Sequence, residues 1–427
     1  MSRLITVVFL VLFLCFPVFA ADQAPTGIDN ETNGFVKQNK HDKDRAVFDE
    51  TEVIEDGLGP LYNAQSCREC HQNPVSGSSS QVLELRCGHN NELGMFENPM
   101  IPINNGEEII SGRSLVNLRA ICPSEIDQEI QLQERVPKSE KIVTFRISLN
   151  LLGDGFVEAV ADETLVKLAK KQCKHSNGVI CGQVLYVPVL EAPGVMEVGR
   201  FGWKNQQRSL LSFSADAYLN EMGITNKLMP NDITNLCDTV ADPEDSKDDI
   251  ETFARFIRAT KAPSRDAALA ASAEAISGEQ IFAAIGCNQC HVEELKTAPA
   301  GTLINGGEFE IPPELGDKMF HPYSDFLLHD IGTGDGIVME WTEHYPPEAQ
   351  VMFDQEAYLA QQETQYKMRT APLWGLRLRP TLMHDGQSLT INNAIKRHGG
   401  EAASVTDQFK SLNKSDTNDL IAFLLSL

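Results

Sequence analysis

The chain has 427 residues and a formal net charge of −24, from 36 lysines and arginines against 60 aspartates and glutamates. So acidic a surface repels the phosphate backbone, so the composition excludes nucleic acid as a partner and favours solubility or a basic partner protein. The length allows two or three domains, and no segment beyond the first twenty residues is long and apolar enough to span a membrane.

The first twenty residues have the pattern of an export signal. Arg3 gives the positive start, residues 4–16 are apolar but too short for a membrane anchor, and small residues predict cleavage after Ala20. Cys15 is preceded by a leucine where a lipoprotein signal requires a small residue, so we predict no lipid anchor. The mature protein is therefore expected in a bacterial periplasm.

Two segments, 67–71 and 287–291, have the sequence C-x-x-C-H, which is the attachment pattern of a c-type haem. Two thiols three residues apart can add to the two vinyl groups of one porphyrin, and the histidine that follows supplies the proximal ligand of the iron. The sequence thus predicts two covalently bound haem c groups. The residues that hold them are Cys67, Cys70, His71, Cys287, Cys290 and His291.

Paired cysteines also occur in zinc sites and in redox-active dithiols, and two pairs could share one zinc ion. Neither kind of site requires a histidine directly after the second cysteine, as both motifs have here. The export signal also directs the chain to the compartment in which c-type haem is attached. We therefore interpret both motifs as haem sites, with His71 and His291 as iron ligands.

Between residues 81 and 200 the pattern favours strands. Residues 142–150 alternate apolar and polar side chains, a Gly-Asp-Gly turn follows at 153–155, and the segment 156–160 resumes, which predicts a hairpin. Residues 182–189 predict a further strand. A small cytochrome c domain is helical, so we interpret this part of the chain as an insertion.

Helical patterns return after the insertion. Residues 250–257 have apolar side chains at i, i+3, i+4 and i+7, which predicts an amphipathic helix. Ser277 and Gln280 form a capping-box pair that predicts the start of a helix leading into the second motif. Residues 415–424 predict a closing helix. A helix before C-x-x-C-H and a closing helix after it are the organisation of a cytochrome c domain.

These elements predict a mainly α protein with two cytochrome c-like haem domains and a β-containing insertion in the first. Residues 21–56 are polar and charged and predict an N-terminal extension or loosely packed arm. The first haem domain is predicted at 57–265, with its insertion at about 81–200, and the second at 266–427.

The five cysteines that remain after the signal and the motifs are expected to form disulfides in an oxidising compartment. They are Cys87, Cys122, Cys173, Cys181 and Cys237. Cys173 and Cys181 bracket a short segment and can close a small loop, and Cys87 is considered as a partner of Cys122. The odd number leaves one thiol, which is either structural or catalytic.

A helix predicted after Thr390 carries His398 on its apolar face, with Ile391, Ala394 and Ile395. A buried imidazole requires a polar partner. Either the iron of the second haem or a backbone carbonyl would satisfy it, and the periodicity does not separate the two.

Several motifs together resemble the di-haem c-type oxidoreductase family, also labelled thiol oxidoreductases, which is distantly related to bacterial di-haem cytochrome c peroxidases. The resemblance runs from about residue 57 to 427. Its motifs are M-R-T-A-P-L-W-G-L at 368–376, H-D-G at 384–386, R-H-G-G-E-A at 397–402, G-R-F-G-W-K at 199–204, M-G-I-T at 222–225 and D-F-L-L-H-D-I-G at 325–332.

The resemblance implies roles around the second haem. His398 occupies the position of the distal ligand, which is Met in the peroxidases and Tyr in the related methylamine dehydrogenase maturation enzyme. A haem with two histidine ligands, His291 and His398, is closed to substrate and suits electron relay. His384 is implied to lie near this haem, and Arg369 to bind a propionate.

At the first haem the resemblance implies peroxide chemistry, which requires an accessible iron and a distal acid or base. The peroxidases' distal glutamate is not recognisable in this sequence. The candidates for a second ligand of this iron are His89, Met95, Met100, His175 and Met222.

For several other residues the sequence leaves two roles open. Trp203 and Trp374 are either electron relays or core residues, and His329 with Asp330 is either catalytic or structural. The resemblance also makes calcium between the domains possible, with no ligands assigned.

The predicted function is an oxidoreductase that passes electrons between a redox partner, a small cytochrome or a cupredoxin, and the first haem, where peroxide is reduced or a partner is oxidised. The alternative is an electron carrier with both irons six-coordinate. Thiol–disulfide exchange at Cys173 and Cys181 is a third possibility.

Overall fold

The computed structural model describes residues 22–122, 132–342 and 344–427, so the predicted signal at 1–20 lies outside the described residues. Helices and short strands are mixed along the chain. The α-helices of the described parts are α1 Gln38–Phe48, α2 Cys67–Cys70, α3 Asp154–Glu158, α4 Asp162–His175, α5 Leu210–Met222, α6 Asp249–Arg258, α7 Ala267–Ala270, α8 Ala273–Ala284, α9 Pro347–Gln350, α10 Gln355–Gln362, α11 Ile391–Lys396, α12 Ala403–Ser411 and α13 Lys414–Ser426.

The strands form sheets of two or three strands each. In the described parts they are β1 Asp22–Gln23, β2 Leu61–Tyr62, β3 Leu83–Asn90, β4 Phe96–Glu97, β5 Ile101–Ile103, β6 Glu108–Ile110, β7 Arg119–Ala120, β8 Ile142–Ile147, β9 Tyr186–Pro188, β10 Met196–Val198, β11 Leu295–Lys296, β12 Leu303–Ile304, β13 Phe309–Glu310, β14 Lys318–Phe320, β15 Leu328–Asp330 and β16 Lys367–Arg369. Strands β3 to β10 lie in the predicted insertion, whereas β11 to β16 were not anticipated.

The hairpin predicted across residues 142–160 is wrong in its second half. Strand β8 forms, but it pairs antiparallel with the distant β3 and not with its own continuation. Gly153 adopts a left-handed φ of 84° and turns the chain into helix α3, Asp154–Glu158, which is buried throughout. The apolar run at 156–160 therefore marks a segment that is buried on all sides and not a second strand.

The N-terminal extension is packed and not loose. Helix α1 lies against α6, and its Phe48 is 2 % exposed, with its ring centre 4.8 Å from that of Phe256. Strand β1 pairs in parallel with β14, which lies in the second half of the chain. Asn33 also donates two hydrogen bonds to backbone carbonyls at the end of α6. A few well-placed contacts thus hold a polar segment that has little apolar pattern of its own.

The main hydrophobic core joins both halves of the chain. It includes Phe156 of α3 together with Phe320, whose ring lies 6.2 Å away, and Trp374, which lies 5.8 Å from Phe320. A second, smaller cluster lies between α8 and α13, where Phe282 and Phe423 pack at 5.2 Å. This second cluster supports the element that carries the second C-x-x-C-H motif.

Helix α6 confirms the helix predicted at 250–257, and α13 confirms the closing helix. The predicted capping box at Ser277 is wrong, because α8 already begins at Ala273 and its cap is Ser272, whose hydroxyl accepts from the Ala275 amide at 3.1 Å. The described residues include no helix that is long and apolar enough to cross a membrane.

The disulfides are confirmed in one case and corrected in the other. Cys173 and Cys181 are bonded, as predicted. Cys122 pairs with Cys237, 115 residues further on, and the pairing of Cys122 with Cys87 is wrong. Cys87 is the remaining thiol; it is fully buried in β3, where it packs in a small apolar cluster. Its burial among apolar side chains favours the structural reading over the catalytic one.

Candidate functional site

The first motif is organised by a single helical turn. In α2 the thiols of Cys67 and Cys70 lie three residues apart, so they share one face. The Ser66 hydroxyl accepts from the Glu69 amide at 3.2 Å and begins the turn, and the His71 amide donates to the Cys67 carbonyl at 3.0 Å. All three motif residues line one cavity, the first cavity.

The second motif follows a change of direction at the end of α8. Gly286 has a left-handed φ of 95°, and a short 3-10 helix, Cys287–Gln289, starts directly after it. The His291 amide donates to the Cys287 carbonyl at 3.0 Å, as at the first motif. Cys287, Cys290 and His291 line another cavity, the second cavity.

Both cavities fit a haem by their donor sets. Each is lined by the two cysteines and the histidine of one motif, and none of the four cysteines is in a disulfide. Burial lowers the pKa of both His71 and His291 to about 4. The two imidazoles are therefore neutral near pH 7, which is the form that binds iron.

The ring of His291 is oriented by the protein. Its Nδ1 donates to the Tyr323 carbonyl at 3.0 Å, so Nε2 is the nitrogen that carries the lone pair. Tyr323 is itself held by a hydrogen bond from its hydroxyl to Glu279 at 2.9 Å. A histidine positioned in this way can bind iron through Nε2 without a change of tautomer.

His398 lines the same cavity as His291. The Thr390 hydroxyl caps α11 by accepting from the Asn393 amide at 3.1 Å, but the helix ends at Lys396 and His398 follows in the turn. Nδ1 of His398 donates to the Ala394 carbonyl at 2.8 Å, which again leaves Nε2 as the nitrogen with a lone pair. Burial lowers the pKa of this imidazole, so it too is neutral.

Two arginines line the second cavity, the buried Arg369 and the partly buried Arg379, and neither forms an ion pair among the described residues. Arg369 donates to the Arg200 carbonyl at 2.9 Å, and its Nε has no partner. Arg379 donates only to backbone carbonyls, those of Pro372 and Trp374. Burial lowers both pKa values to about 10. Two guanidinium groups that lack counter-ions match the two propionates of a haem.

His384 and His329 also line the second cavity. Burial lowers the pKa of His384 to about 4, and its ring lies 6.1 Å from that of Trp203. His329 is hydrogen-bonded to Asp325 at 3.0 Å and to Glu401 at 2.8 Å. Burial would lower its pKa, but Asp325, Cys290 and Glu401 raise it well above the usual value, so His329 is protonated near neutral pH. Asp330 takes part through its amide, which donates to Glu401 at 3.1 Å.

The first cavity has a charged wall that the sequence did not reveal. Arg86 lies 2.5 Å from Glu340 and 3.2 Å from Glu84. Burial and the charge of Glu84 raise the pKa of Glu221 to about 8. Burial and the charge of Glu340 raise the pKa of Asp216 to about 7. The cavity thus contains acids that hold a proton near neutral pH.

These residues come from distant parts of the chain. Glu84 and Arg86 lie on β3, Asp216 and Glu221 on α5, and Glu340 in a loop of the second half. No local spacing brings them together, so the sequence offered no signal for them. Asp216 and Glu221 do interrupt an otherwise largely apolar and buried helix, and that departure is the one clue available.

Of the five candidates for a second ligand of the first iron, Met222 lines the first cavity and the other four do not. His89 lies 2.8 Å from Glu140, Met95 contacts the Tyr358 hydroxyl, and Met100 is 65 % exposed. His175 is the last residue of α4.

Trp203 lines both cavities, as do residues 147–149. Its Nε1 donates to the Ile147 carbonyl at 2.7 Å, which holds the indole against the shared wall. Trp374 is a core residue that lines neither cavity and packs on Phe320. From the sequence, both tryptophans had the same two possible roles. The structure places Trp203 at both cavities and Trp374 in the core.

The family model described as "Di-haem oxidoreductase, putative peroxidase" matches residues 121–427. The chain belongs to the di-haem oxidoreductase family. The match includes the second motif, the H-D-G turn and His398, and it begins after the first motif. No curated protein matches the chain by sequence.

Several solved structures resemble the chain only distantly. They include a hydrazine synthase of Kuenenia stuttgartiensis (13 % identity, all of both chains covered), a MauG-like protein associated with microbial copper homeostasis (14 %, 98 % of this chain and 95 % of that one) and the di-haem peroxidase BthA of Burkholderia thailandensis (12 %, 96 % and 95 %). Each has a TM-score of 0.40, too low to support any detailed comparison.

Proposed function

We propose that the chain is an exported, periplasmic di-haem c-type oxidoreductase in which two cytochrome c-like domains each bind one haem covalently. Cys67 and Cys70 attach the first haem, and Cys287 and Cys290 attach the second. Each bound haem supplies a one-electron iron couple. His291 and His398 would both hold the second haem, which would suit it to electron relay, and the first cavity would handle the substrate.

One observation carries this proposal: each C-x-x-C-H motif lines its own cavity, and Trp203 lines both. The wall that the two cavities share, formed by Trp203 and residues 147–149, gives a short path for electrons between them. Arg369 and Arg379 would bind the propionates of the second haem, and His384 lies beside Trp203 on this path.

Peroxide reduction or oxidation of a partner is the chemistry that the first cavity suits. Reducing one hydrogen peroxide to two waters consumes two electrons and two protons, and two haems can supply the electrons. Glu221 and Asp216 can supply protons, because their raised pKa values keep a proton available near neutral pH. The Arg86 guanidinium helps to hold the pKa of Glu340 low despite burial, so this third acid is ionised.

The electrons are expected to come from, or go to, a small redox protein of the cytochrome or cupredoxin class. With a net charge of −24, the chain favours a partner that presents a basic surface.

Met222 favours a second candidate function. Its side chain is 3 % exposed and lines the first cavity together with His71, so its thioether would be available to hold the first iron as a second ligand. Both irons would then be six-coordinate, and the protein would be an electron carrier without a substrate.

Spectroscopy separates the two functions. A pyridine haemochrome assay should first give two haems per chain. After partial reduction, the enzyme should show a high-spin component in electron paramagnetic resonance that shifts when peroxide is added. Exclusively low-spin spectra that do not respond to peroxide would support the electron carrier. In that case a Met222→Leu variant should generate the high-spin signal.

A further inference from the structure

Three carboxylates, which we call the acidic cluster, lie close together in the segment between α5 and α6. They belong to Asp232, Asp242 and Glu244, and one oxygen from each lies within 4.8 Å of the others. Two oxygens bound to one calcium ion, each at roughly 2.3–2.6 Å, are at most about 5 Å apart. The observed arrangement therefore allows all three residues to bind one ion.

Buried oxygens of the acidic cluster lack partners. Both carboxylate oxygens of Asp232, and Oε1 of Glu244, are shielded from solvent and make no hydrogen bond. Glu244 as a whole is 7 % exposed. Removing an ionised carboxylate from water without a partner is unfavourable by several kcal/mol. These oxygens therefore require either protons or a cation.

Protein cations do not meet this requirement within the described residues. The two lysines of the same segment are directed elsewhere: Lys227 pairs with Asp248 at 3.4 Å and with Glu251 at 2.8 Å, and Lys247 lies 3.8 Å from Asp56. Among the residues that the structure describes, no lysine, arginine or histidine thus balances the repulsion within the acidic cluster.

Hydrogen bonds from Thr225 satisfy only part of the acidic cluster. Its amide donates to Oε2 of Glu244 at 2.7 Å, and its hydroxyl lies 2.7 Å from Asp242 and 3.0 Å from Glu244. A hydroxyl has one proton to donate, so it cannot satisfy both acids. The remaining oxygens are free to bind an ion.

We propose that Asp232, Asp242 and Glu244 bind a divalent cation. The donors are exclusively oxygens, most of them carboxylate, on an irregular segment, which suits calcium better than a transition metal. The contacts of Glu244 are with Thr225 and, at its Cβ, with Gly57, so the site lies within the first half of the chain. It is therefore distinct from a calcium ion between two haem domains.

The ion braces the wall of the first cavity. Thr225 follows α5, which contributes Met222 to that cavity, and Asp245, next to Glu244, accepts from the Asp249 amide at 2.7 Å at the start of α6. Helices α5 and α6 pack against each other. A cation bound by the acidic cluster would link the residues that follow α5 to those that precede α6. It would thereby hold the two helices together beside the first cavity, which is a structural role.

Calcium titration of the full-length, haem-loaded protein tests the proposal. After treatment with a chelator, isothermal titration with Ca²⁺ should give one ion per chain, and calcium should raise the melting temperature. An Asp242→Asn variant should bind calcium at least tenfold more weakly and lose the thermal shift. Because Asp242 is exposed, this substitution is compatible with folding.

The matched control is Asp248→Asn, which removes an exposed carboxylate from the same segment but outside the acidic cluster. It should bind calcium as the unmodified chain does. The proposal is refuted if the unmodified chain does not bind calcium, or if Asp242→Asn and Asp248→Asn bind it equally well.

Discussion

Replacing Glu221 by glutamine tests whether this acid supplies a proton in the first cavity. Glutamine keeps the size of the side chain and an oxygen that can accept from Asn63, which now donates to Glu221 at 3.1 Å. The substitution removes the transferable proton and the charge. Any loss of turnover is therefore due to the lost proton transfer and not to a packing void left by a smaller side chain.

The magnitude follows from the pKa of Glu221, which burial raises to about 8. Roughly nine in ten of these carboxyl groups are protonated at pH 7 and roughly one in ten at pH 9. Peroxide turnover should therefore fall about tenfold between these pH values as the proton is lost. A general acid typically contributes 10²–10⁴ in rate, so Glu221→Gln should lower kcat at pH 7 by about 100-fold or more.

Steady-state peroxide reduction, measured from pH 6 to 9.5 with a reduced small cytochrome as donor, provides the assay. The control is Glu69→Gln, since Glu69 lies within the first motif but outside the cavity lining. Glu69→Gln should keep both the rate and the alkaline fall. The reasoning is wrong if Glu221→Gln keeps kcat within about threefold and retains the fall near pH 8.

Three further predictions concern the second haem, the shared wall and the fold. A His398→Ala variant should convert the second haem from low-spin to high-spin, and an unchanged resonance spectrum would exclude His398 as a ligand. Trp203→Phe should slow electron transfer between the haems in stopped-flow reduction, whereas Trp374→Phe should not; equal rates in both variants would contradict the relay. Loss of the Cys122–Cys237 disulfide, which spans 115 residues, should lower the free energy of unfolding by about 5 kcal/mol on the loop-entropy model. Denaturant titration of a double serine variant measures this, and a loss below about 1 kcal/mol would contradict it.

The strongest sequence predictions depend on residues that are close together in the chain. The C-x-x-C-H motifs, helix α6 and the Cys173–Cys181 disulfide are of this kind, because one turn, one helical face or one short loop contains all the information. The predicted position of His398 in the second cavity also followed from local motifs, although the structure places it after the helix and not on its face.

The predictions that failed depended on distant partners. Strand β8 pairs with β3 and not with residues 156–160, and Cys122 pairs with Cys237, because long-range pairing is decided by which surfaces the whole chain buries together. The packed N-terminal extension has the same explanation, since its partners α6 and β14 lie more than two hundred residues away.

The sequence by itself determined where two haems can be attached, which histidines follow the attached cysteines, and that the two sites are unequal. Tertiary structure alone decided what surrounds them: the charged wall of Glu221, Asp216 and Arg86, and the single tryptophan between the cavities. The physical reason is that attachment is a matter of covalent spacing within five residues, whereas the pKa of an acid depends on burial and on charges brought from elsewhere in the chain.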